Sequence, residues 1–115
     1  MKRFKIREID ARKLIEGKTT DLIDSVIQTK KPIIVSAEKI PKKSVINNKN
    51  IKWLYCIPKY PCPYSEIDFD KMKFFDGYSN HCPKLSAPIN AVHNGAKIIE
   101  IHITSDKSKN FIDNN

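Results

Sequence analysis

The feature that most restricts this chain is how its helix-like segments run directly into β-like ones. From Asp21 onward, Leu22, Ile23, Val26 and Ile27 fall on one face at helical spacing, with Thr20 in position to cap the start. That segment leads into Lys31-Pro32-Ile33-Ile34-Val35. A second helix is expected from about Ser86 to Asn94, with Pro88 in its first turn and Leu85, Ile89 and Val92 along one side. Gly95 supplies its stop, and Ala96-Lys97-Ile98-Ile99 follows at once. Strand, helix, strand in that order means parallel pairing with right-handed crossovers.

The strand-like runs are Arg3 to Arg7, Pro32 to Ala37, Ile51 to Ile57, Phe74 to Ser79 and Ala96 to Thr104, short, rich in Ile, Val, Phe and Tyr, and bounded by turn formers. No internal repeat or low-complexity linker separates them. Two connections are thin. Glu38 to Asn50 contains Pro41 and little periodicity, and Tyr64 to Lys73 has room for barely two helical turns. A parallel crossover usually needs about a dozen residues or more, so little covers the sheet there. The last run carries the strongest local signal. Residues two apart share a face, so Ile99, Ile101 and Ile103 point one way and Glu100, His102 and Thr104 the other. A parallel strand buried on both sides should be apolar on both. The polar trio means either an edge strand with a wet face or a polar site inside.

At 115 residues the chain is expected to be a single domain (1–115) or part of one. With 40% apolar and 30% charged residues it has a globular composition, not a disordered one. No apolar run reaches the roughly 20 residues that cross a bilayer, and the charged start has no apolar stretch behind it, so a cytoplasmic location is expected. Cys56, Cys62 and Cys82 cannot all pair within one chain and fit a reducing compartment. With the histidines they could suggest zinc, yet no Cys-x-x-Cys pair exists. The net charge of +8 has three readings: compositional bias, an anionic substrate such as a phosphorylated metabolite, or nucleic acid. The basic residues are spread along the chain, which leaves nucleic acid the least supported.

Four collinear motifs carry a resemblance. They are Lys31-Pro32-Ile33-Ile34-Val35-Ser36; Cys56-Ile57-Pro58-Lys59-Tyr60-Pro61-Cys62-Pro63; Gly77-Tyr78-Ser79-Asn80-His81; and Gly95-Ala96-Lys97-Ile98-Ile99-Glu100-Ile101-His102-Ile103-Thr104. Together they resemble the N-acetylneuraminate (sialic acid) synthase family over about residues 20 to 113. The resemblance implies the C-terminal half of an aldolase-type TIM barrel. The expected fold class is therefore α/β: a partial (β/α) barrel of about five parallel strands and two clear helices, or an open parallel α/β sheet. It also implies a reaction in which phosphoenolpyruvate condenses with the open-chain aldehyde of an N-acylated amino sugar. A divalent metal, Mn or Mg, would be held by His81 and His102. Those two and Glu100 are the expected catalytic residues, and Lys5, Ser36, Tyr60, Ser79 and Asp113 are expected to bind substrate.

Taken singly, these residues have plainer readings. His81 fits a capping residue, Tyr60 a packing residue beside Pro61, and Ser36, Ser79 and Glu100 ordinary hydrogen bonding. Lys5 fits a surface lysine, and His93 reads as surface. The chain also departs from the family. It begins where the fourth strand would, Ala37-Glu38-Lys39 replaces Thr-Gly-Met, Pro58 replaces a hydrogen-bonding side chain, Asn80 replaces Asp, and Ile101 a basic residue. Five parallel strands cannot close an eight-stranded barrel and would leave open edges. The expectation is a homo-oligomer or a companion chain that completes the barrel, and the rival to an active enzyme is a non-catalytic metal- or ligand-binding relative.

Overall fold

A computed structural model of the chain describes residues 8–42 and 49–103. The elements run α1 (Glu8–Ile15), α2 (Asp21–Gln28), β1 (Ile33–Ala37), β2 (Ile51–Tyr55), two short 3₁₀ turns (Tyr64–Glu66 and Phe69–Phe74), β3 (Gly77–Ser79), α3 (Ser86–His93) and β4 (Ile98–Glu100). The strands form one parallel sheet in the order β1-β2-β3-β4. Among the described residues the fold is thus a four-stranded open parallel sheet with helices, matching part of an α/β barrel.

The register fixes two unlike faces. Ile33 lies opposite Ile51, Ala37 opposite Tyr55, Tyr55 opposite Tyr78 and Tyr78 opposite Ile99. In-register parallel neighbours share a face, so Val35, Ala37, Trp53, Tyr55 and Tyr78 all point to one side. There they join Leu14 of α1, Ile23 of α2, Met72 and Phe75 of the 3₁₀ crossover, and Ala87 and Ala91 of α3 in the core. The opposite face carries Ser36, Leu54, Cys56, Gly77, Ser79 and Glu100.

Gly77 shows how tightly β3 and β4 approach. A Cβ there would lie 2.1 Å from the Ile98 carbonyl oxygen and 2.7 Å from Leu54 Cδ2. Only a residue with no side chain lets these backbones pair. Asp76, just before it, sets the register. Its Oδ2 accepts from the Trp53 N–H at 2.8 Å, its own N–H donates to the Trp53 carbonyl at 2.8 Å, and its carbonyl accepts from the Lys97 N–H at 2.9 Å.

Several expectations need correction. The run Arg3 to Arg7 lies outside the described residues. Helix α1 is one the apolar pattern did not show; Gly17, at φ 81°, ends it by letting Lys18 N–H reach back to the Lys13 carbonyl at 2.8 Å. The Thr20 cap is present, with its Oγ1 accepting from the Ile23 N–H at 3.4 Å; Ile23 is buried, Ile27 packs against the core, and Leu22 and Val26 are half-buried. Helix α3 packs the other way round from a large-residue face. Ala87, Pro88 and Ala91 are buried, while Leu85, Ile89 and Val92 are exposed, so α3 turns its two alanines and Pro88 inward. Strand β3 starts at Gly77 instead of Phe74, since the Phe75 N–H closes the preceding 3₁₀ turn on the Met72 carbonyl at 3.1 Å. Strand β4 stops at Glu100 because its partner stops at Ser79, and the last rung is the Asn80 N–H on the Glu100 carbonyl at 2.9 Å. The alternation expected out to Thr104 therefore ends early: Ile103 is 90% exposed, and Thr104 lies outside the described residues. Among the described residues no helix is long and apolar enough to cross a membrane.

Candidate active site

The site lies at the carboxyl ends of β3 and β4, and one asparagine shapes its floor. Asn80 Oδ1 accepts from the Tyr78 hydroxyl at 3.0 Å and from the Cys82 N–H at 3.2 Å, while Nδ2 donates to the Cys82 carbonyl at 2.9 Å. A side-chain amide that grips the backbone two residues on folds the chain sharply, and this turns His81 off the strand line. An aspartate could make the first two bonds but has no hydrogen to donate to the Cys82 carbonyl. The Cys62 N–H, on the loop after β2, donates to the His81 carbonyl at 2.8 Å, so both loops hold one residue.

The His81 ring is fixed on three sides. Its Nδ1 lies 2.7 Å from the Ile57 carbonyl oxygen, and because a carbonyl only accepts, Nδ1 carries the hydrogen. Tyr60 stacks on the ring with centroids 3.9 Å apart and planes 26° from parallel. Cys56 Sγ sits 3.6 Å from Nδ1 and 3.5 Å from Nε2. Nearly equal distances to both nitrogens put the sulfur over the ring face, since in the plane Cε1 would stand between. Tyr60 already fills one face, so the sulfur takes the other. Burial pushes the His81 imidazole below its ordinary 6.5, opposed by the bond to Ile57 and reinforced by neighbouring His102. Burial likewise pushes the Cys56 thiol up to about 11, against a hydrogen bond with Ser79 that pulls it down. The sulfur is a neutral thiol at neutral pH.

His102 reaches the same place from β4. Its ring centroid is 5.8 Å from that of His81, with planes at 67°, and it meets Tyr60 edge-on at 5.5 Å. A cavity of about 110 Å³ opens beside the three rings. Asn80, Cys82, Pro83, Lys84, Leu85, Pro88 and Ile101 complete its wall. Ile101 and His102 both border it, because past the end of β4 the two-residue alternation no longer holds. One row back along the sheet, Ser79 donates its hydroxyl to Glu100 Oε1 at 2.8 Å; Ser79 is buried and Glu100 half-buried.

Of the residues singled out by sequence, His81, His102 and Tyr60 come into contact, and Ser79 and Glu100 form a pair behind them. Ser36 is exposed on β1, three strand spacings from Glu100, or roughly 14 Å across the sheet. Lys5 and Asp113 lie outside the described residues. His93 is exposed on α3. Among the described residues no group of three His, Cys, Asp or Glu side chains is placed to hold a metal, so two imidazoles are the most this face offers. Asn80 as the loop clamp, and Cys56 as one wall of the His81 slot, were not read as working residues. The Asn-x-Cys turn was the available signal for the first; no sequence signal marks the second.

A parallel sheet with helices on one face, and polar side chains delivered to the strand ends on the other, defines a segment of a (β/α) barrel with its site at the usual end. Comparison gives the particular group: residues 3–115 match the NeuB family, and the chain belongs to it. It is 32% identical over 118 aligned positions to an uncharacterized protein of Methanocaldococcus jannaschii, covering 87% of this chain and 35% of that one. It is 34% identical over 73 positions to the N,N'-diacetyllegionaminic acid synthase of Campylobacter jejuni, covering 57% of this chain and 22% of the synthase. In fold it is similar to the N-acetylneuraminic acid (sialic acid) synthetase of Leptospira borgpetersenii, solved in complex with citrate. The TM-score is 0.65 at 22% identity, over 76% of this chain and 36% of the synthetase. The chain thus spans about a third or less of the length of these relatives.

Proposed function

We propose that the chain forms the histidine-bearing sector of a NeuB-type synthase. In this reading phosphoenolpyruvate joins the open-chain aldehyde of an N-acylated amino sugar, with a divalent metal, Mn or Mg, at His81 and His102. The barrel is completed by a companion chain or further copies. The observation that carries the reading is the meeting of two imidazoles, 5.8 Å between centroids, at the ends of adjacent parallel strands.

The donor set fits an ion. An imidazole nitrogen sits about 2.1 Å from a bound divalent ion and its ring centre about an ångström farther, so two rings on one ion have centres at most about 6.5 Å apart. With Nδ1–H committed to the Ile57 carbonyl, Nε2 is the donor nitrogen of His81, and a backbone acceptor of this kind typically orients a ligating histidine. Two protein ligands leave several positions for water and substrate oxygens. An ion bound there would supply Lewis acidity toward the aldehyde oxygen. The protein's own groups would then divide the remaining work. Glu100, oriented by the Ser79 hydroxyl, accepts hydroxyl hydrogens of the sugar chain. Tyr60, with its ring over His81, offers its hydroxyl to the substrate, and Ser36 and Lys5 are assigned to the phosphoenolpyruvate side.

A non-catalytic relative that binds metal or ligand is the second reading, and two departures favour it. Pro58 stands exposed at the end of β2 with no hydrogen to donate, and Ala37-Glu38-Lys39 replaces the expected run at the end of β1. Both touch the substrate side and spare the histidines. Manganese titrated calorimetrically into the wild type and into His102→Ala tests the shared premise. Saturable binding in the first, weakened at least tenfold in the second, is expected; equal heats would remove the metal. Phosphate release from phosphoenolpyruvate with N-acetylmannosamine and manganese then separates synthase from binder.

A further inference from the structure

We infer that Tyr60 is a positioning residue, a flat wedge that holds the two metal-binding imidazoles convergent; this rests on the metal reading above. For His81, the hydrogen bond to Ile57 fixes one nitrogen but leaves the ring able to swing about that bond. The Tyr60 ring at 3.9 Å and the Cys56 sulfur at about 3.5 Å on the opposite face form a slot that stops the swing. His102 lies past the end of β4 at Glu100, and the residue after it is exposed. The edge of Tyr60, 5.5 Å away at 87°, bounds it on the His81 side. One aromatic ring thereby contacts both imidazoles, stacked on one and edge-on to the other, and both are favoured aromatic geometries.

Tyr60 suits the task because it is anchored from behind. The Cys62 N–H donates to the His81 carbonyl, so the loop that carries Tyr60 and the residue it stacks on are tied by backbone. A pre-set pair of donors binds an ion without having to order its side chains at that moment, and the saving appears as affinity. The ring carries this role, and the hydroxyl does not. That separates it from contact with substrate, for which the hydroxyl would matter.

The test compares Tyr60→Phe, Tyr60→Leu and Tyr60→Met, each checked for an unchanged melt. Tyr60 is 38% exposed, so folding should survive all three. Manganese affinity by titration calorimetry should stay within about twofold of wild type in the Phe variant and fall about tenfold in the Leu and Met variants. Unchanged affinity in Leu and Met, or a Phe variant as weak as they are, overturns the inference. The metal-free chain gives an independent reading by proton NMR. Stacking should shift the His81 ring protons upfield in the wild type and the Phe variant, and that shift should vanish in the other two. If the wild type binds no manganese, the metal reading fails, and with it the purpose assigned here. If manganese binds but the His81 shifts are alike in all four proteins, the metal reading stands and Tyr60 as the wedge is wrong.

Discussion

The two faces of this sheet are built on opposite rules, although the same strands supply both. On the helix side, Val35, Trp53, Tyr55 and Tyr78 meet Leu14, Ile23, Met72 and Ala91 in a continuous apolar core. On the other side, Leu54 and Cys56 are buried, but the row then turns polar through Ser79 and Glu100 and ends at two histidines. The first face is held mainly by volume and the second by specific bonds: a serine on a carboxylate, a carbonyl on an imidazole. Loss of volume should therefore cost stability, and loss of a bond should cost orientation.

The largest effect is expected where both faces depend on one backbone approach. Gly77→Ala drives a methyl group into the Ile98 carbonyl, an atom of the backbone that cannot rotate away. The β3–β4 pairing should fail, with a loss of about 4 kcal/mol or more in urea unfolding, or no fold at all. A cost below about 1 kcal/mol would mean the strands sit farther apart than described. Next comes a contrast between neighbours. Tyr78→Ala empties a nearly fully buried site on the helix side and should cost about 3 kcal/mol or more. Ser79→Ala, one residue on but on the other face, removes the hydroxyl that meets Glu100 and Cys56 and should cost about 1 to 2 kcal/mol. Its main consequence should be a reoriented Glu100, seen as a changed carboxyl chemical shift. If the two substitutions cost the same, the faces are not distinct.

What the sequence made legible follows the same division. The parallel order was readable, because helix-like segments feed straight into Ile33 and Ile98, and the histidine pair was readable from a resemblance carried by residues at those strand ends. The packing side of α3 was not. Periodicity shows that Leu85, Ile89 and Val92 lie together, but it cannot show that Ala87, Pro88 and Ala91 are the side turned inward. Helix α1 was missed because its apolar positions are sparse, and its clearest sign, Gly17 with a positive φ, reads in sequence only as a loop glycine. The Tyr60–His81 stack joins two loops from different strands, and no local pattern encodes such a meeting.

The smallest effect tests the limit of the rule that polar bonds on the site side matter. Lys59 Nζ lies 2.9 Å from Glu66 Oε1, one residue from Tyr60, and both side chains are about half exposed. The glutamate's hydrogen bond and charge raise the lysine's pKa, yet water already solvates both groups and salt screens them. Lys59→Ala should therefore leave the unfolding midpoint almost unmoved, and what shift there is should vanish in about 0.5 M salt. The ring stack should persist, because Tyr60 is held through the Cys62 N–H on the His81 carbonyl and not through its neighbour's charge. If Lys59→Ala shifts the His81 ring protons as much as Tyr60→Leu does, the loop is held by its surface charge, and the polar contacts that matter here extend beyond the buried ones.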